Sequence, residues 1–372
     1  MNKPELVLSR RLRKTPFEQR VREQGARAFT IYNHMTLSSV YESLQADYEH
    51  LCQYVQLWDV AAERQVEVAG KDALALVELI TPRDISRCGT GQCMYVPLID
   101  EHGGIINDPI VLRLADDRFW ISISDSDVLL WIKGIAWGRG MDVKVFEPDV
   151  SPLAIQGPGS DDLMAEVVGP EVRKIGFFHF IHARIEDIPV VIARSGWSGQ
   201  GGFEIYLQDS SQGLKLWDAV WQKGQAFNIR AGCPNLIERL EAGLMSYGSD
   251  MTLESNPFEC GLDRFFKLGK KAEYMSRQAL DRIAREGITK KMVHLKISGE
   301  PLPAPRSTYN VLDKSGATAG QLTSIAWSPR FEANLAFATV AIESSAQGTL
   351  LNVETADGIR GGVVCDLKWN AA

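Results

Sequence analysis

Apolar positions along the chain follow two periods. In several short runs they alternate with polar ones, as on a strand with one buried face: Gln65-Val66-Glu67-Val68, residues 105–114 and residues 119–124. Elsewhere they recur every three or four residues. Val40, Leu44, Tyr48, Leu51 and Val55 predict an amphipathic helix, with Ser39 and Glu42 spaced as a capping box at its start. Further helices are expected from Gly70 through Ile80, at 127–137 and 214–221, and from Cys233 through Glu241, with Pro234 near the first turn of the last. Tight turns between residues 94–99, 105–114 and 119–124 read as a β-meander, with 143–146 as another strand. From Met292 the texture changes to short strands at 292–297, 309–312, 335–341, 350–354 and 363–369, a small barrel or sandwich beginning near residue 290.

One stretch combines pattern with chemistry. An apolar strand, Val190 to Ala193, enters Arg194-Ser195-Gly196-Trp197-Ser198-Gly199-Gln200-Gly201-Gly202 and re-emerges as a second strand. Glu204 and Tyr206 are two residues apart there and share a face. A carboxylate beside an aromatic ring suits a planar heterocycle whose edge offers two N–H donors. An ordinary hairpin with a solvent-facing glutamate fits the same pattern. A second acidic position, Asp108, lies in the apolar segment Gly103-Gly104-Ile105-Ile106-Asn107-Asp108-Pro109, as an edge residue or as a carboxylate facing a site. The stretches Val68-Ala69-Gly70 and Ile155-Gln156-Gly157 echo each other as strand, glycine turn and helix, as in a duplicated βαββαβ-type unit.

Composition narrows the function classes. At 372 residues two or three domains are expected, and 45% hydrophobic with 23% charged residues is ordinary for a globular protein. The formal net charge of −7 argues against a nucleic-acid partner. The six cysteines are scattered without a CxxC pair, so reduced thiols are expected and neither a disulfide framework nor a zinc site. No His-x-x-x-His pattern supports a metal, no P-loop or strand-linked GxGxxG supports a nucleotide, and no centred serine makes a nucleophile elbow. Without a leader or a transmembrane-length apolar run, a cytoplasmic protein with no membrane partner is expected.

The quoted segments, with Gln156-Gly157-Pro158, Arg239-Leu240-Glu241, Tyr247-Gly248 and Asn256-Pro257-Phe258-Glu259, resemble the aminomethyltransferase family of the glycine cleavage T-protein. Within it the chain is similar to the tetrahydrofolate-dependent dimethylsulfoniopropionate (DMSP) demethylases through Leu12-Arg13-Lys14-Thr15-Pro16-Phe17, Tyr32-Asn33-His34-Met35, Trp58-Asp59-Val60, Thr81-Pro82-Arg83-Asp84 and Gly232-Cys233-Pro234-Asn235. Asn107-Asp108 stands where T-proteins usually carry two aspartates, and the likeness loosens after Gly261. The resemblance implies an α+β, three-domain cloverleaf with two ferredoxin-like domains and a C-terminal β-barrel. The expected division is 1–66 with 147–251 for folate, 67–146 with 252–289, and 290–372. It also implies that Glu204 holds the pterin edge, Tyr206 packs nearby, Arg239 frames the site, and Asp108 lies near the folate nitrogens as cofactor contact and catalytic residue. A methylated onium substrate suits the aromatic faces of Trp197, Tyr95 and Tyr206, and Ser122 is expected to contact it as well. The expected reaction is demethylation of DMSP to methylmercaptopropionate with 5-methyltetrahydrofolate as second product. Demethylation of glycine betaine, aminomethyl transfer and non-catalytic folate binding stay open as alternatives. The Lys-x-Cys-x-x-Gly-Gln-Glu motif of the YgfZ-type folate-binding proteins does not occur here. Oligomeric state is not readable, and a homodimer stays open.

Overall fold

The computed structural model describes residues 9–302 and 308–366. The chain forms two compact units: the described parts of Met1–Val66, Glu147–Gly196 and Gln200–Pro234, and those of Glu67–Phe146, Trp197–Gly199 and Asn235–Ala372.

The first unit is built on a six-stranded sheet. Its order is Phe180–Ile185, Ile188–Ala193, Gly202–Leu207, Ser151–Gln156, Gln56–Asp59 and Arg230–Gly232, with only the last pair parallel. Alternation divides its two faces. Leu57, Leu153, Ile155, Ile192, Phe203, Ile205 and Leu207 join one core with Leu163 and Met164 of helix Ser160–Val168 and Leu216, Trp217 and Val220 of helix Gly213–Gly224. Each such side chain contributes about 1.5–3 kcal/mol by leaving water. The opposite face carries Trp58, Ala154, Glu204 and Tyr206, because each lies one residue out of phase with the core positions.

The helix expected from Val40 begins later. Residues Met35–Val40 pair with Ala28–Tyr32 in a hairpin whose turn residues Asn33 and His34 have φ of 48° and 63°. Ser43, not Ser39, caps helix Leu44–Gln53, its hydroxyl accepting the Ala46 N–H at 3.0 Å. The expected helix from Cys233 likewise starts at Leu236, with Asn235 as the cap and Pro234 before it.

In the second unit a sheet runs in the order Lys144–Phe146, Gln65–Ala69, Arg118–Ser122, Ile110–Ala115, Cys93–Tyr95. The meander is interrupted at Pro97 and Pro109, which cannot donate to a ladder. Leu98–Ile99 and Ile105–Asn107 pair separately instead. The buried Glu67 is satisfied by Arg118 Nε at 2.7 Å and Trp120 Nε1 at 2.8 Å. The C-terminal strands close into a barrel of Lys290–Ile297, Ala333–Ala341, Thr318–Ser328, Asn310–Leu312, Leu350–Thr355 and Gly358–Cys365. Thr318–Ser328 was not expected from the pattern. The last described strand is Gly358–Cys365, and positions 367–369 of the expected one lie outside the described residues. Mixed helices and strands with a closed C-terminal barrel match the expected fold class. None of the six cysteines, all among the described residues, is joined in a disulfide. Among the described residues no helix is long and apolar enough to cross a membrane.

The strand–glycine–helix echo is present as Gln65–Ala69 into Ala73–Leu79 and Ser151–Gln156 into Ser160–Val168. Both glycines need positive φ, 139° at Gly70 and 120° at Gly157, and both sit against backbone. A Cβ at Gly157 would lie 2.3 Å from the Tyr54 carbonyl oxygen, whereas Gly169, at φ 98°, faces open space. Gly157→Ala is therefore expected to lose more than about 2 kcal/mol, and Gly169→Ala only the backbone strain of about 1 kcal/mol. Denaturant titration of both checks this; equal losses would contradict it.

Candidate functional site

Glu204 lies mid-strand in the first unit, directly between Ala193 and Ala154 on the neighbouring strands, with Trp58 next across. The carboxylate is buried, the residue being 7% exposed. The Ser195 hydroxyl donates to Oε2, and the Tyr206 hydroxyl donates to the same oxygen at 3.1 Å. Oε1 takes no hydrogen bond from the described residues. Burial raises the pKa of Glu204 above the usual carboxylate range, and the two hydroxyl donors oppose that rise. The shared face read from the two-residue spacing is present, and the solvent-facing alternative is not. Tyr206 is itself fully buried, with its hydroxyl turned to Glu204. Ser195 had no sequence signal beyond its place at the start of the glycine turn.

The turn is shaped around Gln156. A Cβ on Gly196 or Gly202 would come within 2.4 Å of the Gln156 amide, and both residues have φ near 150°, at 150° and 154°. Glycine is required at both.

Asp108 belongs to the second unit. Tyr95 donates its hydroxyl to Oδ2 at 3.2 Å, and Ser124 donates to Oδ1 at 2.7 Å. Burial pushes the carboxyl up to about 7, against the opposing pull of these two hydroxyls. Tyr95, Ile110 and Ser122 pair directly across three strands, so Ser122 shares a face with Tyr95. The Tyr95 ring meets Phe265 edge-on at 4.9 Å, and burial moves its phenol well above the usual range.

Trp197 and Arg239 also meet in the second unit. Arg239, on helix Leu236–Ala242, lies 5.7 Å from the Trp197 ring and 5.9 Å from that of Phe337. Its guanidinium donates to Asp250 at 2.7 Å, to the Ser324 hydroxyl at 2.6 Å and to the Leu244 carbonyl at 3.2 Å. Arg239 thus anchors the ring and the barrel strand Thr318–Ser328. Glu238 beside it accepts the Gly199 N–H, which ties down the Trp197–Gly199 turn. Asp250, Ser324 and Glu238 escaped the sequence reading because their partners are far away along the chain.

The expected residues thus form three groups: Glu204 with Tyr206, Asp108 with Tyr95 and the Ser122 row, and Trp197 with Arg239. A polar cavity of about 570 Å³ in the first unit, lined by Arg13, Arg64, Glu147 and Ser210 among others, contains none of them. Among the described residues no group of three or more His, Cys, Asp or Glu could hold a metal ion.

A mixed α/β chain followed by a closed barrel is the fold of the T-protein-like chains. Residues 17–270 match the family described as the GCVT N-terminal domain, and 290–368 match the glycine cleavage T-protein C-terminal barrel domain. The chain belongs to this family. It is 47% identical to the dimethylsulfoniopropionate demethylase DmdA of Ruegeria pomeroyi, over 97% of this chain and 98% of that one. It is 32% identical to an aminomethyltransferase of Koribacter versatilis, over 81% and 80%. In fold it is similar to the glycine cleavage system aminomethyltransferase T from Bartonella henselae, with a TM-score of 0.86 and 23% identity over 96% and 98% of the two chains.

The Asp108 environment makes a signed prediction. Between about pH 4 and pH 7 the folded chain keeps a proton that the unfolded chain has released. This group's contribution to stability is therefore full below pH 4 and lost as pH rises through 7. Asp108→Asn lacks that dependence and should gain about 2 kcal/mol on wild type between pH 5 and pH 8. Thermal melts of both across this range check it; a gap that does not change with pH would contradict it.

Proposed function

We propose that this protein is a tetrahydrofolate-dependent methyltransferase that demethylates DMSP to methylmercaptopropionate. The observation that carries the reading is the 47% identity to the R. pomeroyi demethylase over nearly the whole of both chains. The donor set of the first unit fits a reduced folate. A pterin edge presents N–H donors, and Glu204 offers a buried carboxylate whose Oε2 is held by Ser195 and Tyr206 while Oε1 accepts nothing from the described residues. Oε1 is therefore left to accept from a ligand that brings its own N–H donors. Residues 1–66 and 147–251 are assigned the folate-binding role, and Arg239 is assigned to folate as well.

Tetrahydrofolate, when bound, supplies the N5 lone pair that accepts the methyl group, giving 5-methyltetrahydrofolate. On the substrate side the C–S bonding pair returns to sulfur, and a neutral thioether departs, so the sulfonium needs no protein nucleophile. Glu204 orients the heterocycle, and most of the acceleration comes from alignment and exclusion of water. Asp108, titrating near 7, can accept at its carboxylate the proton that methyl transfer displaces. Trp197, Tyr95 and Ser122 are assigned to the substrate. The aromatic faces attract the cation without an ion pair that would hold the ground state too tightly.

Two measurements follow. Glu204→Ala should weaken tetrahydrofolate binding by about 1.5–3 kcal/mol in a fluorescence titration, the worth of a charge-assisted contact. Unchanged affinity would remove the central support for the reading. Trp197→Leu should weaken binding of DMSP by about 0.5–2 kcal/mol while leaving an uncharged thioether of similar shape unaffected. Equal effects on both ligands would show that the ring does not recognise charge.

A further inference from the structure

Asn107 is fully buried beside Asp108, and three of the four hydrogen-bonding positions of its amide are used. One Nδ2 hydrogen goes to the Ser124 carbonyl at 3.0 Å and the other to the Ser126 hydroxyl at 2.9 Å. Oδ1 accepts the Ser124 N–H at 3.0 Å. The amide cannot be flipped in this setting, because its oxygen faces a donor and its nitrogen a carbonyl. Ser126 in turn donates its hydroxyl to the Ile106 carbonyl at 3.1 Å, on the same strand as Asn107, and its N–H to the Ser124 carbonyl at 2.8 Å. The network therefore closes on itself around residue 124.

The network reaches Asp108 through Ser124, whose hydroxyl donates to Oδ1 at 2.7 Å. We propose that Asn107 is a positioning residue for Asp108: its amide clasps residues 124–126 and so keeps the Ser124 hydroxyl on the Asp108 carboxylate. Only an amide suits the position. An ionised aspartate would accept from Ser124 N–H but set its second oxygen against the Ser124 carbonyl, and an apolar side chain would do neither. Asn107 is fully buried, so it acts on Asp108 through Ser124. The other ionisable groups acting on Asp108 are Tyr95, which donates at 3.2 Å, Asp250, which disfavours its charged form, and Tyr247, which senses its charge. The inference rests on the proposed function only for what Asp108 does, not for how it is held.

The test reads the titration of Asp108 without using activity. In each background the melting temperature is compared with that of its Asp108→Asn counterpart across pH 5–9, and the midpoint of the fall in the slope of that difference reports the folded-state Asp108 pKa. The backgrounds are wild type, Asn107→Leu, Ser124→Ala and the double variant. Asn107→Leu is chosen because it keeps the size and adds no charge beside Asp108. The hydroxyl favours the charged carboxylate, so its loss should move the midpoint upward by about one pH unit. Asn107→Leu and Ser124→Ala should give similar shifts, and the double variant no more than either, because both remove one contact. An unmoved midpoint in Asn107→Leu, or additive shifts in the double variant, would overturn the proposal. If Asn107→Leu does not fold, Ser126→Ala loosens the same clasp and should shift the midpoint in the same direction by less; no shift there overturns it equally. The kcat of Asn107→Leu should fall severalfold with KM little changed. Absence of methyl transfer in every background, wild type included, would instead dismiss the functional reading and leave the titration result standing.

Discussion

The carboxylate of Glu204 sits inside a sheet, where an ionised group without partners would be destabilised by several kcal/mol. Its presence constrains what surrounds it. Ser195 must stand where its hydroxyl reaches Oε2, which places it at the entrance of the glycine turn. Tyr206 must occupy the same face two residues on, which only the strand period provides. The turn between the two strands must then pass over Gln156, and that close passage admits no side chain at Gly196 or Gly202. The apolar face of the same strands supplies the stability that tolerates such a group, through Phe203, Ile205 and Leu207 packed on the two helices.

The second unit treats its buried acids in two ways. Asp250 faces the Arg239 guanidinium at 2.7 Å and accepts from the Thr323 and Ser324 hydroxyls, an arrangement that joins helix to barrel. Removing one partner of such a pair costs more than the pair contributes, because the other charge is stranded. Asp108 is met by the Ser124 and Tyr95 hydroxyls and by its own backbone N–H, and burial pushes its pKa up to about 7. A carboxyl that can gain or lose a proton near pH 7 is suited to chemistry, whereas the Arg239 pair is suited to holding the Trp197 ring and the barrel strand in place.

How much of this was legible in the sequence depends on the range of the interactions. The common face of Glu204 and Tyr206, and the matched glycines at 70 and 157, follow from local period and backbone conformation, so both could be read directly. The start of the helix at Ser43 could not. Ser39 and Glu42 satisfy a capping pattern equally well, and only pairing of Met35–Val40 with Ala28–Tyr32 excludes it. Thr318–Ser328 was missed because its residues are largely small or polar, and its strand character comes from partners on both sides in a closed barrel. The supporting residues Ser195, Ser124, Glu238 and Asp250 carry no motif. Ser124 lies 16 residues from the carboxylate it serves, and Asp250 lies 74 from Ser324. Glu204 and Asp108 stand out in the sequence as acids in apolar segments; the residues that hold them do not.

The reaction proposed for this chain is one transfer, that of a methyl group from a sulfonium to reduced folate. The measurement that bears on it most directly is product analysis after incubating the protein with DMSP and tetrahydrofolate, with glycine betaine and an aminomethylated lipoyl carrier as parallel donors. The account predicts methylmercaptopropionate and 5-methyltetrahydrofolate in equal amounts from DMSP, and no comparable turnover of the other two. One-carbon transfer from the lipoyl carrier alone, or no methylated folate from DMSP, would contradict it.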